Sequence, residues 1–118
     1  MTETHTYGII KHGITLADYD GLASACLHFY YDNPSEILLS SLLVDKRERG
    51  KGRGRAMLKA QERRAAQLGA NIVHLWCERD SWQYRWYQRC GYEVTGEHNR
   101  RGYVWMSKPI IPLPSGVI

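Results

Sequence analysis

The stretch Arg49-Gly50-Lys51-Gly52-Arg53-Gly54-Arg55 decides how this chain is read. It follows an apolar run, Ile37-Leu38-Leu39-Ser40-Ser41-Leu42-Leu43-Val44, and precedes a helix-forming run from Ala56 to Leu68. Strand, glycine turn and helix start, in that order, make an anion site. Successive backbone N–H groups turn inward, and the helix start adds the positive end of its dipole. The glycines allow positive φ and let a ligand approach the backbone closely. Two familiar phosphate loops are excluded. The third glycine comes one position too early for G-x-G-x-x-G, and no G-x-x-x-x-G-K-[ST] occurs. Taken alone, the stretch also fits an ordinary turn in a basic protein, so the flanking chain has to decide.

On the N-terminal side, Tyr7 to Leu16 reads weakly as a strand, and Asp18-Tyr19-Asp20-Gly21 gives a turn signal. Leu22–Tyr31 and Glu36–Val44 read as an antiparallel pair joined by a turn at Asp32-Asn33-Pro34-Ser35. A short helix over Thr15 to Ser24 is the alternative. On the C-terminal side, Met57, Leu58, Ala65 and Leu68 form an apolar stripe at helical spacing, and Gly69 stops the helix. Asn71 to Cys77 is the next strand; strand–helix–strand order predicts parallel pairing with Glu36–Val44. Asp80 is expected to cap a second helix, with Gln83 completing a capping box and Gly91 as the stop. Tyr92 to Gly96 and Gly102 to Ser107 supply the last two strands. The order is three strands, glycine loop, helix, strand, helix and two strands.

The chain has 118 residues, so one domain is expected, at 1–108, followed by a Pro-rich tail at 109–118. A hydrophobic fraction of 43% supports a modest core and argues against disorder. No apolar run approaches the roughly 20 residues that span a bilayer, so no membrane role is expected. The start, Met1-Thr2-Glu3-Thr4-His5, has neither part of a signal peptide. The three cysteines, Cys26, Cys77 and Cys90, stand at no metal spacing, which fits a reducing, cytoplasmic compartment and no metal site. The net charge is +4, and much of it falls within residues 46–64. Such a patch suits nucleic acid, an acidic surface or a phosphorylated cofactor.

Arg49-x-x-Gly52-x-Gly54, with Val44 five residues earlier, resembles the acetyl-CoA signature of the GNAT superfamily of N-acetyltransferases. Tyr87-Gln88-Arg89-Cys90-Gly91-Tyr92 matches a second signature of that family, Tyr-x-x-x-Gly-[Phe/Tyr], at the end of the second core helix. The resemblance covers roughly residues 22–108. It implies an α+β layered fold with a mixed central sheet, strands splayed around an acetyl-CoA site, and two core helices. It also implies a direct transfer of acetyl from acetyl-CoA to a primary amine. By the same resemblance, Leu42, Leu43 and Val44 present backbone groups to the pantetheine and thioester. The amides of Gly50, Lys51, Gly52, Arg53, Gly54 and Arg55 hold the pyrophosphate beside Arg49. Tyr87 matches the general acid.

Several positions depart from the family. Asp80 stands where asparagine often contacts the pantetheine, and capping is its expected role. Leu38 stands where some members carry a glutamate base, and Leu75 where others do. Glu36, two residues before Leu38, is the candidate base through a water, set against a plain surface role beside the turn. His28, His74 and Glu78 are held in reserve. The N-terminal region has room for at most one of the two helices that often wall the acceptor site.

Two other functions compete. One is a basic nucleic-acid-binding module with Tyr30, Tyr31 and the tryptophans as stacking surfaces, which the separation of basic and aromatic stretches disfavours. The other is a catalytically silent GNAT fold that senses CoA or binds a protein. The amine acceptor is open between a protein and a small molecule. The apolar tail is expected to pack on its own domain or on a second copy in a homodimer, with Ile110, Ile111 and Leu113 as anchors.

Overall fold

The computed structural model describes residues 1–113. In chain order the elements are β1 (Thr2–Tyr7), β2 (Lys11–Ala17), β3 (Ala23–Tyr30), β4 (Asn33–Val44), α1 (Arg53–Gln67), β5 (Ile72–Glu78), α2 (Trp82–Arg89), β6 (Glu93–Glu97) and β7 (Tyr103–Pro109). A single 3-10 turn, Lys46–Glu48, lies between β4 and α1. The seven strands form one sheet in the order β1-β2-β3-β4-β5-β7-β6. Only β4 and β5 run parallel, with α1 as their crossover; every other neighbour is antiparallel. This is the mixed, layered α+β fold that the family resemblance implied.

Four strands precede the loop, not three. The segment read as one strand, Tyr7 to Leu16, holds a turn and β2, and the added strand β1 precedes it, the two joined where the Gly8 N–H donates to the Lys11 carbonyl at 2.9 Å. β1 is almost wholly polar and lies at the sheet edge, so no apolar alternation marks it. The alternative helix over residues 15–24 is absent: that segment is the β2–β3 hairpin. The second turn also moves. Tyr30 pairs with Asn33, so Asn33, Pro34 and Ser35 already belong to β4. Pro34, which has no N–H, falls where the β3–β4 register shifts and no ladder bond is demanded of it.

Alternate strand residues build one core. Ile14, Leu27, Ile37, Leu39, Val73, Leu75 and Met106 pack with Met57, Leu58 and Ala65 of α1, and Tyr84, Trp86 and Tyr87 of α2 lean on the same cluster. Both helices therefore cover one face. The intervening residues, among them Cys26, His28, Leu38, Ser40, His74 and Trp105, point to the other face, where no helix packs among the described residues.

β4 changes register in its middle. Leu39 pairs with Leu27 and Ser40 with Cys26, but Leu43 then pairs with Ser24. Ser41 and Leu42 together oppose Ala25, a β-bulge, and Ser41 takes φ +54°. The bulge frees strand carbonyls, and a buried polar side chain meets them. Gln61 of α1, 1% exposed, donates through Nε2 to the carbonyls of Cys26 (2.8 Å) and Ser40 (3.3 Å). Gln61→Leu keeps the volume and leaves those carbonyls unpaired. We expect a loss of about 1–3 kcal/mol, read as a lower denaturant midpoint at unchanged slope. A variant as stable as the parent would mean that the carbonyls find other donors.

The tail is partly docked. Pro109 still pairs with Ile72 as the last residue of β7. The Ile110 N–H donates to the Asn71 carbonyl, and the Leu113 N–H to Ala66. Ile110 packs on the core, whereas Ile111 is 86% exposed and is no anchor within the chain. Residues 114–118 lie outside the described residues. Truncation after Lys108 removes these two hydrogen bonds and the Ile110 contact, so Tm should fall by about 5 °C. A thermal melt unchanged by truncation would make the docking energetically idle.

Candidate active site

β4 and β5 are paired only from Glu36–Ile72 to Leu38–His74. Beyond Leu38 they diverge, so the β5-facing edge of residues 40–44 has no strand partner. A cavity of about 580 Å³ opens beside that edge. Its walls are Leu42, Leu43 and Val44 of β4, the glycine loop, and Trp82, Gln83, Trp86 and Tyr87 of α2.

The loop leaves its donors free. Gly50 and Gly52 take φ +78° and +81°, and a Cβ at either would meet nothing within 4 Å. Gly52 is the N-cap of α1 and supplies no capping side chain, and the first turn carries no acidic residue. The first N–H groups of a 15-residue helix therefore face the cavity uncapped. Gly54 lies in that first turn; a Cβ there would rest 3.8 Å from Val44 and 3.9 Å from Trp86, both wall residues. A cradle of free backbone donors at a helix start suits an anion.

The loop's cations divide into two sets. Arg49 and Arg55 line the cavity, and Arg49 Nε donates to the Val44 carbonyl at 3.1 Å. Lys51 and Arg53 turn away. Lys51 pairs with Glu48. Arg53 reaches Asp18 (3.1 Å), Asp20 (2.7 Å) and Glu48 (3.0 Å). Asp20, and then Asp18, hold the Arg53 guanidinium above its ordinary pKa. Asp20 itself is held low by the Leu22 N–H and then by Arg53. The Arg53 side chain thus clamps the loop to the β2–β3 hairpin, Lys51 pairs within the loop region with Glu48, and the backbone amides of both remain for a ligand. Charge spacing in the sequence did not reveal this, because Asp18 and Asp20 lie more than thirty positions from Arg53.

Asp80 does not cap α2. Ser81 does, accepting from the Tyr84 N–H at 3.1 Å, while Asp80 turns the chain with φ +64° and lies off the cavity wall. The start of α2 is one residue later than the Asp80–Gln83 pattern indicated. Alternation along β5 sets which of its side chains face the helices. Leu75, the position matched to a glutamate in other family members, is buried in the core under the helices. Its neighbours His74 and Trp76 face the open side.

Tyr87 stands against the cavity with its ring packed edge-on to Trp86 and Tyr92. Its hydroxyl makes no hydrogen bond within the protein among the described residues. Burial, reinforced by the Cys77 and Cys90 thiols, pushes its pKa up to about 12. The phenol is therefore a proton-bearing group at any working pH, with its donor unspent. Sequence reasoning missed Trp82, 65% exposed, together with Gln83, Trp86 and Glu48 as wall residues. The i, i+4 spacing of Trp82 and Trp86 was the available signal.

Glu36 is not brought to this cavity. It lies six residues along β4 from Leu42, roughly 20 Å at strand rise, too far for one bridging water. Its carboxylate accepts from Asn33 at 2.8 Å and bonds His74 Nε2 at 3.0 Å. Those partners, His74 first, lower its pKa and weaken it as a base. Glu36 lines a second cavity, about 540 Å³, on the open face, with His28, Tyr30, Leu38, His74 and Trp105.

A profile of the acetyltransferase (GNAT) domain matches residues 10–94, so the chain belongs to the GNAT acetyltransferase family. No curated protein matches it in sequence. Solved structures share the fold. An aminoglycoside 6'-acetyltransferase type Ii superposes with TM-score 0.70 at 23% identity, over 91% of this chain and 74% of its own. An aminoglycoside 6'-N-acetyltransferase complexed with coenzyme A gives 0.70 at 18% identity, over 92% and 77%. The ribosomal-protein-S18-alanine N-acetyltransferase from Escherichia coli gives 0.67 at 18%, over 95% and 77%. No described helix is long and apolar enough to cross a membrane.

Proposed function

We propose that this protein moves an acetyl group from acetyl-CoA to a primary amine by direct attack. One observation carries the reading. A single cavity gathers an uncapped helix N-terminus, an unpartnered strand edge and a half-buried tyrosine with an unspent proton.

Acetyl-CoA would supply a thioester, an acyl group on a good leaving sulfur. The amides of residues 50–55 and the dipole of α1 bind its pyrophosphate, with Arg49 and Arg55 adding charge. The open edge of Leu42, Leu43 and Val44 offers backbone groups to the pantetheine amides, as a neighbouring strand would. A backbone N–H near the Ser41–Leu42 bulge donates to the developing oxyanion, fixed in place before reaction. Tyr87 holds the proton that the leaving thiolate takes. With a pKa of about 12 it is a weak acid, so its contribution rests on position in a water-poor site.

The amine enters from the open face, because α1 and α2 fill the other. Glu36 is assigned to the wall of the acceptor cavity, where it holds His74. The exposed sheet face suits an acceptor presented on a larger molecule such as a protein. The domain proper ends with β7, and the docked tail closes its end. The test has two arms. Calorimetry with acetyl-CoA measures cofactor binding. Thiol release against an amine panel and a cell lysate, with mass spectrometry of products, measures transfer. Binding without turnover on any acceptor supports the silent-fold reading; absence of binding overturns both.

A further inference from the structure

β4 passes between the two cavities: Leu42 walls the first and Leu38 the second. Ser40 lies between them, on the open face, one residue before the bulge. Its position is fixed from both sides of the sheet. Gln61 holds its carbonyl from the helix face. On the open face, its hydroxyl meets His28 Nε2 at 3.0 Å. The ring of His28 has room because its cross-strand partner is Gly13, where a Cβ would lie 3.4 Å from Nδ1. Nδ1 has no hydrogen-bond partner within the protein among the described residues. His28 also lines the open-face cavity.

An alkylamine reaches a protein as an ammonium, with pKa near 10.4, and must lose a proton before it attacks. We propose that Ser40 and His28 form the relay that takes this proton. The ammonium N–H gives its proton to Ser40 Oγ as the Ser40 hydroxyl proton passes to His28 Nε2. The products are a neutral amine, an intact serine and an imidazolium, which loses a proton to water and, by exchange between its ring nitrogens through water at Nδ1, returns to the tautomer with Nε2 free to accept. The proposal rests on the acetyltransferase reading and names the base that reading lacks.

Two further facts bear on it. Burial, and then the Lys11 charge, lower the His28 pKa, which leaves the ring neutral at pH 7 and, as for Glu36, makes it a weaker base, so its role rests on its contact with Ser40. The other titratable groups on this face are Glu36 of β4 and His74 of β5, which bond each other, with His74 also meeting Ser107; Cys26, cross-strand from Ser40, which meets Thr15 Oγ1 at 3.5 Å; and Lys11 and Tyr30, which pair with each other beyond His28.

The test compares two acceptors on wild type, His28→Gln, Ser40→Ala and the double variant. One acceptor is an alkylamine; the other is an arylamine, already neutral at pH 7. The relay predicts that each single variant slows the alkylamine by roughly 10²-fold and leaves the arylamine within a few-fold. The double variant should be no slower than either single one, because the two groups act in series. Added imidazole should restore part of the His28→Gly rate. Equal losses on both amines, or independent effects of the two substitutions, overturn the relay and leave a packing role. Should His28→Gln fail to fold, Ser40→Ala carries the comparison. Loss in Glu36→Gln with normal His28→Gln transfers the role to Glu36. Wild-type protein inert toward both amines overturns the acetyltransferase reading and the relay with it. Wild-type turnover with indifferent variants overturns the relay alone.

Discussion

Tyr87→Phe should slow acetyl transfer by roughly 10²–10⁴-fold, the usual range for a positioned acid, while leaving the fold intact. The ring keeps its contacts with Trp86 and Tyr92. The hydroxyl has no partner in the protein, so removing it should cost less than the roughly 1 kcal/mol of an ordinary hydrogen bond. The loss should appear equally in kcat and kcat/KM, since the proton is needed only in the transition state. Acetyl-CoA affinity should stay near its wild-type value. The pH profile adds an independent check. The acid must be protonated to work, and its pKa is about 12. Tyr87 therefore imposes no fall in rate below about pH 11, and a descending limb near pH 9 would belong to another group. Near-normal turnover in the purified variant would return the acid role to water and leave Tyr87 as packing.

Gly54→Asp should weaken acetyl-CoA at least tenfold, about 1.4 kcal/mol. The structure makes Gly54 a cleaner position than Gly52. Gly52 sits at φ +81°, where any side chain is strained, so a substitution there mixes strain with charge. Gly54 is helical, and its Cβ would meet Val44 and Trp86 only at ordinary contact distance. A carboxylate in the first turn of α1 should itself favour the helix by roughly 0.3–1 kcal/mol. Stability and affinity are thus expected to move in opposite directions, which a general loss of structure cannot imitate. Calorimetry and a thermal melt on the same preparation measure both. Unchanged affinity would remove the loop from the cofactor site.

The sequence by itself determined the strand–loop–helix unit, the crossover to β5 and the second helix. The reason is locality. Glycine spacing, helix periodicity and the Tyr87–Tyr92 segment are all read within one or two elements, and each dictates backbone shape nearby. Eight of the residues that the family resemblance assigns to the cofactor, Leu42, Leu43, Val44, Arg49, Gly50, Gly52, Gly54 and Arg55, line one cavity with Tyr87 in the structure.

Tertiary structure decided the rest. β1 carries no apolar pattern because an edge strand needs none. Lys51 and Arg53 are indistinguishable from Arg49 and Arg55 in a basic run; only the carboxylates brought from Asp18, Asp20 and Glu48 separate clamp from site. Asp80 and Ser81 are both good caps, and the chain reversal after β5 selects Ser81. The Ser41 bulge, with Gln61 beneath it and His28 above, joins residues of three elements, and no spacing in the sequence announces it. Glu36 was placed by strand alternation, which gives the face of a side chain but not its distance along the strand. That distance puts it in the other cavity, because a sheet fixes position along its strands only once their register is known.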